Sequence, residues 1–113
     1  MNPRIPKVNQ LLQEELGEIL LRKLDLSDGV LVTVTRVVTS GNLQEAKVYI
    51  SVMPEAKLQD VFVVLHREIY GIQQMLNRRL RMRPVPRIRW VIETKTSEAQ
   101  RIEELLEKAR EVK

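Results

Sequence analysis

In EAKVYISVM, from Glu45 to Met53, the apolar residues Ala46, Val48, Ile50 and Val52 alternate with Lys47, Tyr49 and Ser51. A strand sends successive side chains to opposite faces, so this segment has one dry face and one wet face. The preceding VLVTVTRVV (Val30–Val38) is β-branched almost throughout, and TSGN between the two runs supplies turn residues. Together they predict an antiparallel hairpin, closed by Pro54. A lone hairpin is at best marginally stable in water, and this one needs further elements over its apolar side. That requirement governs what the rest of the chain must supply.

The flanking segments change period and supply it. From Pro6 to Leu24 the residues Val8, Leu11, Leu12, Leu16, Ile19, Leu20 and Leu24 fall at helical spacing, with Gln13, Glu14, Glu15, Glu18 and Arg22 on the other side. DLSDG ends that helix through turn-forming residues. Helical period returns from Glu55 to Ile69 through Leu58, Val61, Phe62, Leu65 and Ile69, and runs on past Gly71 as Ile72, Met75, Leu76 and Leu80. A glycine inside such a run costs about 1 kcal/mol relative to alanine, so two helices joined by a kink at Tyr70–Gly71 are expected. Pro84 and Pro86 should end the second helix. RIRWVIE then alternates as a third strand, and SEAQ (Ser97–Gln100) has the form of a capping box. The final helix it would open carries the stripe Ile102, Leu105, Leu106 and Ala109. The order is α-β-β-α-kink-α-β-α, an α+β arrangement. At 113 residues, with no linker or repeat, a single domain over residues 1–113 is expected. A chain of this size buries roughly two thirds of its unfolded surface and needs no disulfide or metal staple.

Charge is distributed unevenly. The net charge is +4, yet His66–Trp90 alone holds seven basic residues against one acid. Within it, NRRLRMRPVPRIRW packs six arginines into the fourteen positions Asn77–Trp90, with no carboxylate among them. On the third strand Ile88, Trp90 and Ile92 point one way, and Arg87 and Arg89 the other. Trp90 therefore belongs to the core rather than to a base-stacking surface. On the preceding helix Arg78 and Arg81, three apart, share a face with Gln74, Arg79 flanks the apolar stripe, and Arg83 sits at the exit beside the prolines. Cations at a helix C-terminus complement its dipole, which could account for Arg81 and Arg83 but not for Arg87 and Arg89. Unpaired like charges repel, and a merely solvated surface usually intersperses acids. Arginine also matches phosphate oxygens in pairs. An anionic partner is expected: nucleic acid first, a membrane surface or an acidic protein next.

Other chemistry finds little to stand on. There is no cysteine, which excludes disulfides and thiol catalysis and is compatible with the cytosol. The one histidine, His66, lies in a helical pattern beside Arg67 and Glu68 without a ligand set, so no metal and no cofactor are expected. Gly17, Gly29, Gly41 and Gly71 are too far apart for a phosphate loop, and the serines have no recognisable histidine–acid frame. No apolar run approaches the length of a membrane span, and MNPRIPKVNQ lacks the apolar core of a signal peptide. A cytoplasmic, non-enzymatic protein is the expectation, without a membrane or a small-molecule substrate.

Three stretches resemble the ribosome-binding factor A family of bacterial small-subunit assembly proteins: RIPKVNQLLQEELGEIL, VTVTRVVTSGNLQEAKVYISV and LRMRPVPRIRWVIETKTSEAQRIEELL. Their order and spacing match over nearly the full length. The resemblance implies a KH-like fold of the second topological type, with helices packed on one face of a three-stranded mixed sheet. KH modules usually clamp a nucleic-acid backbone with a GxxG loop. This chain has none; where the family carries an alanine-x-glycine kink it has Ile69-Tyr70-Gly71. Asn42 stands where the family commonly has aspartate, and Arg87 where it commonly has glutamate. The resemblance further implies a monomer that binds the free 30S subunit and its 16S rRNA, and that assists late maturation, 5′-end processing and growth in the cold. Arg78, Arg79, Arg81, Arg83, Arg87 and Arg89 would make the contacts, with Arg4 and Lys7 of the first helix extending the positive surface. The competing reading is an adaptor whose basic face meets an acidic protein.

Overall fold

The computed structural model describes residues 2–26, 28–93 and Leu105. In chain order it shows α1 (Ile5–Lys23), β1 (Leu31–Thr39), β2 (Glu45–Met53), a 3-10 turn (Glu55–Lys57), α2 (Leu58–Arg67), α3 (Ile69–Arg79) and β3 (Arg87–Ile92). The expected closing helix after Ser97 lies outside the described residues, Leu105 apart. The strands form one sheet in the order β1-β2-β3, with β2 antiparallel to β1 and parallel to β3.

The alternation of β2 is realised without exception: Ala46, Val48, Ile50 and Val52 are buried. They meet Ile88, Trp90 and Ile92 of β3 on one side and Val34 and Val37 of β1 on the other. Over this face lie Val8, Leu12, Leu16, Ile19 and Leu20 of α1, Leu58, Val61 and Leu65 of α2, and Ile72 and Leu76 of α3. Trp90 is 4% exposed, and its Nε1–H donates to the Leu65 carbonyl at 2.9 Å, so the one polar atom of the indole is satisfied inside the core.

β1 departs from simple alternation. Val34 pairs with Ile50 but Arg36 pairs with Tyr49, so Thr35 is an extra residue, a β-bulge. The bulge shifts the inward phase from Val32 and Val34 to Val37 and Thr39. Gln13 of α1 bridges the irregularity, its Nε2 donating to the Val34 and Thr35 carbonyls at 3.2 and 3.3 Å. Further along α1, Asn9 Oδ1 accepts from the Thr39 amide (2.9 Å) and hydroxyl (2.6 Å). These two amide side chains lock α1 onto β1 in one orientation.

Two boundaries differ from the sequence expectation. The kink between α2 and α3 falls at Glu68 (φ −94°, ψ 2°), two residues before Tyr70–Gly71. Glu68 accepts from Ile72 and donates to Val64, so the helices change direction with little loss of backbone bonding. Gly71 sits in the first turn of α3, where an added Cβ would lie 3.0 Å from Lys23 Nζ: the glycine marks the close pass of α1 over α3. The end of α3 is also earlier than the prolines would set it. Leu80 turns extended (φ −98°, ψ 143°) and buries its side chain at 4% exposure, so core packing ends the helix at Arg79.

Two stability outcomes are expected. Trp90→Ala should cost about 3–5 kcal/mol in urea unfolding, the range for emptying a buried aromatic site. Gly71→Ala should stabilise by about 0.4–1 kcal/mol, because the residue is helical and only the flexible tip of Lys23 must yield. Loss of stability on Gly71→Ala would mean that the α1–α3 approach is rigid at that point.

Candidate nucleic-acid interface

The contacts that lock the fold also decide where the basic residues emerge. Asn9 bonded to Thr39 brings the start of α1, with exposed Arg4 and Lys7, to the end of the sheet that carries the β1–β2 turn. The Arg87 amide donates to the Gln44 carbonyl at 2.8 Å, which puts the start of β3 at that same end. Gln73 of α3 completes the arrangement: its Nε2 donates to the Pro86 carbonyl and its Oε1 accepts from the Ile88 amide. The 80–86 loop, with Arg81 and Arg83, thus returns to the sheet at this end as well. Topology gathers Arg4, Lys7, Arg81, Arg83 and Arg87 at one pole.

The six arginines of Asn77–Trp90 do not form a single flat patch. Arg87 and Arg89 leave β3 on the face away from the helices, opposite in sense to buried Ile88 and Trp90. Arg78 is exposed on α3 in the helix layer, its Nε donating to the Gln74 carbonyl at 3.4 Å. Arg81 does not share a helical face with Arg78, because α3 has already ended; it is exposed in the loop. The positive surface is a wrap around one end of a two-layer body.

Arg79 is the clear departure. Its Nη1 lies 3.0 Å from Glu15 Oε2 and 3.2 Å from Glu18 Oε2, and its side chain is 26% exposed. Two carboxylates of α1 neutralise it, so it clamps α3 to α1 and is no free cation. The apolar stripe of α3 sets this pairing, because burying Ile72 and Leu76 turns the Arg79 position toward α1. Arg83 has a mixed role: its Nη1 donates to the Leu80 and Met82 carbonyls at 2.8 and 2.7 Å and so shapes the loop. Among the described residues none of Arg78, Arg81, Arg87 and Arg89 forms an ion pair.

Cations outside the arginine-rich segment join this surface. Lys47 stands opposite Arg89 in the β2–β3 register, on the open face. Arg36 reaches the open face through the bulge and lies 3.7 Å from the centroid of the Tyr49 ring, its Nε donating to Glu93 Oε2 at 3.2 Å. The alternation of EAKVYISVM already pointed Lys47 and Tyr49 outward, whereas nothing in VTVTRVV signals the bulge that turns Arg36 with them. In the helix layer a shallow groove of about 410 Å³ runs between α1 and α3, lined by Lys23, Gly71, Gln74, Met75, Arg78 and Arg79. His66 is exposed and its Nδ1 pairs with the Phe62 carbonyl one turn earlier. The described residues hold no group of three or more His, Cys, Asp or Glu able to bind a metal, and no helix among them is long and apolar enough to cross a membrane.

The architecture and the sequence have clear counterparts. A family model for Ribosome-binding factor A matches residues 4–106. The Ribosome-binding factor A of Chlorobaculum parvum is 35% identical over 113 residues, covering 97% of this chain and 93% of that protein. The crystal structure of ribosome-binding factor A from Thermus thermophilus matches with a TM-score of 0.66 at 25% identity, over 80% of this chain and 97% of that one. A homology model of the Thermus thermophilus factor, fitted into an electron cryo-microscopy map of its 30S complex, matches with a TM-score of 0.59 at 27% identity, over 74% and 88% of the two chains. The α-β-β-α-α-β order on a three-stranded mixed sheet is the KH-like fold that these structures share. By sequence and by architecture alike, the chain belongs to the ribosome-binding factor A family.

Proposed function

We propose that this chain is a non-catalytic maturation factor of the small ribosomal subunit. It acts in the cytoplasm as a monomer and as one KH-like RNA-binding domain, and it binds the free 30S subunit through 16S rRNA. There it assists late maturation, including processing of the rRNA 5′ end, and supports growth in the cold. The observation that carries this reading is the pole where Arg4, Lys7, Arg81, Arg83 and Arg87 converge, with Arg78 and Arg89 on its two flanks, in a chain whose Thermus relative is fitted to a 30S map.

The physical role is differential binding. Guanidinium groups grip phosphate oxygens through paired charge-assisted hydrogen bonds, and each contact releases condensed counterions from the RNA. A surface that wraps around an end of the protein suits rRNA segments meeting at an angle better than one straight duplex. It stabilises the conformation in which those segments sit at the matching spacing. Once the subunit matures and the segments move, the same contacts can no longer be made together, and the factor leaves.

Charge reversal tests the surface. Arg78→Glu with Arg81→Glu, and separately Arg87→Glu with Arg89→Glu, should abolish co-sedimentation with free small subunits while circular dichroism stays unchanged. Retained co-sedimentation by both pairs would remove the assignment. Arg79→Glu should behave differently: it puts a third carboxylate between Glu15 and Glu18, so it should lower the melting temperature before it affects binding in the folded fraction. With about four or five phosphates neutralised, log affinity should fall against log salt with a slope of about −3 to −4. A flat dependence, or binding to an acidic protein alone, would favour an adaptor role instead.

A further inference from the structure

We infer that the open face of the sheet is a single-stranded RNA platform, on which one unstacked base lies against the Arg36 guanidinium while Lys47 and Arg89 hold the adjoining phosphates. This rests on the rRNA-binding reading above and adds to it a site, a mode and the residues Arg36, Lys47 and Tyr49 outside the arginine-rich segment.

The register builds the platform. On the face away from the helices, Val38, Lys47 and Arg89 form one cross-strand row, and Arg36, Tyr49 and Val91 form the next. Neighbouring positions within a row are about 4.8 Å apart and successive rows about 6.6 Å apart. The first row holds two cations and no acid. A hollow of about 210 Å³ beside it is lined by Val38, Thr39, Ser40, Glu45, Ala46, Lys47 and Arg89, so one carboxylate faces the two cations there. The second row holds the stack of Arg36 on Tyr49 at 3.7 Å.

The bulge is what makes that stack. Without the extra residue Thr35, Tyr49 would pair with position 35, and Arg36 would share the inward sense of Val48. With it, Arg36 stands opposite Tyr49 on the open face. Glu93, 6% exposed, then fixes the guanidinium by accepting from its Nε at 3.2 Å, and accepts from the Thr35 hydroxyl at 2.8 Å. Arg36 is thereby held from its edge by a carboxylate and from one face by a ring, while its side chain remains 52% exposed. Its charge is largely answered, which makes it a poor phosphate clamp. What it still offers is a flat, immobilised π face, the surface on which single-stranded RNA stacks its bases. Phosphate contact falls to the neighbouring row, where Lys47 and Arg89 are unpaired among the described residues.

The test uses the full chain with two ligands: an end-labelled oligouridylate, read by fluorescence anisotropy, and free small subunits, read by co-sedimentation. Tyr49→Leu keeps apolar bulk but removes the ring that backs the Arg36 guanidinium, so the base loses its immobilised stacking surface; it should weaken oligouridylate binding by about tenfold, within the range for one lost base stack. Tyr49→Phe keeps the ring and should bind as wild type. Lys47→Gln should leave the stack intact and reduce the magnitude of the salt slope by about 0.7, one single-strand phosphate contact, whereas Tyr49→Leu should leave the slope unchanged. Wild-type affinity in a folded Tyr49→Leu protein would overturn the platform, as would polyglutamate competing with the oligouridylate equally well in wild type and Tyr49→Leu. Wild-type protein that sediments with subunits but ignores the oligouridylate would overturn the platform and leave the assembly role standing. Failure with both ligands would overturn the two together.

Discussion

Everything in this molecule is arranged around a central strand that is dry on one face only. β2 is hydrogen-bonded on both sides, and Ala46, Val48, Ile50 and Val52 all point under the helices. Because side chains on a strand alternate, burying these four commits Lys47, Tyr49 and Ser51 to the opposite side. β3 follows by parallel register, so Ile88, Trp90 and Ile92 go in, and Arg87 and Arg89 must go out. The face with the charge is thus a direct consequence of the face with the core. A one-residue slip would bury two arginines and expose an indole.

Against that background the basic residues separate by their electrostatic surroundings. Arg79 is half-sheltered between two helices, where a carboxylate partner is worth more than in open water, and it has two. Its role is to hold α3 against α1. Arg36 is exposed but carries a buried acid on one edge and an aromatic ring beneath, so its position is fixed and its charge is muted. Arg81, Arg87, Arg89 and Lys47 are exposed and form no ion pair among the described residues, although Glu45 stands opposite Arg87 in the β2–β3 register, and there a phosphate can displace counterions at little desolvation cost. One residue type does three jobs because three dielectric settings are available to it.

For the rRNA binding proposed above, a KH-like scaffold without a GxxG loop needs other contacts. Here the turn between α2 and α3 bends at Glu68, and its glycine is occupied with the approach of Lys23. The cations lie instead at the sheet end and on its open face, elements tied to the core by Asn9, Gln13 and Gln73 side chains. Contacts mounted on a rigid sheet lose little entropy of their own on binding, so the ordering cost falls on the partner.

Much of this is legible in the order of residues: the succession of elements, the dry face of β2, the inward Trp90, the stripe of α1 and the outward Arg87 and Arg89. Each follows from a local period of apolar residues, and local periods survive into the fold. The confinement of positive charge to one stretch is legible in the same way. Features set by partners far away in the chain emerge only when the elements pack. Leu80 ends α3 because the core receives its side chain, although the prolines stand later in sequence. Thr35 bulges where Gln13 can meet the released carbonyls, and that bulge delivers Arg36 to the open face. Arg79 finds Glu15 across 64 residues, a pairing that exists only once α1 and α3 lie side by side. Periodicity tells a residue which way to face; packing alone tells it what it will meet there.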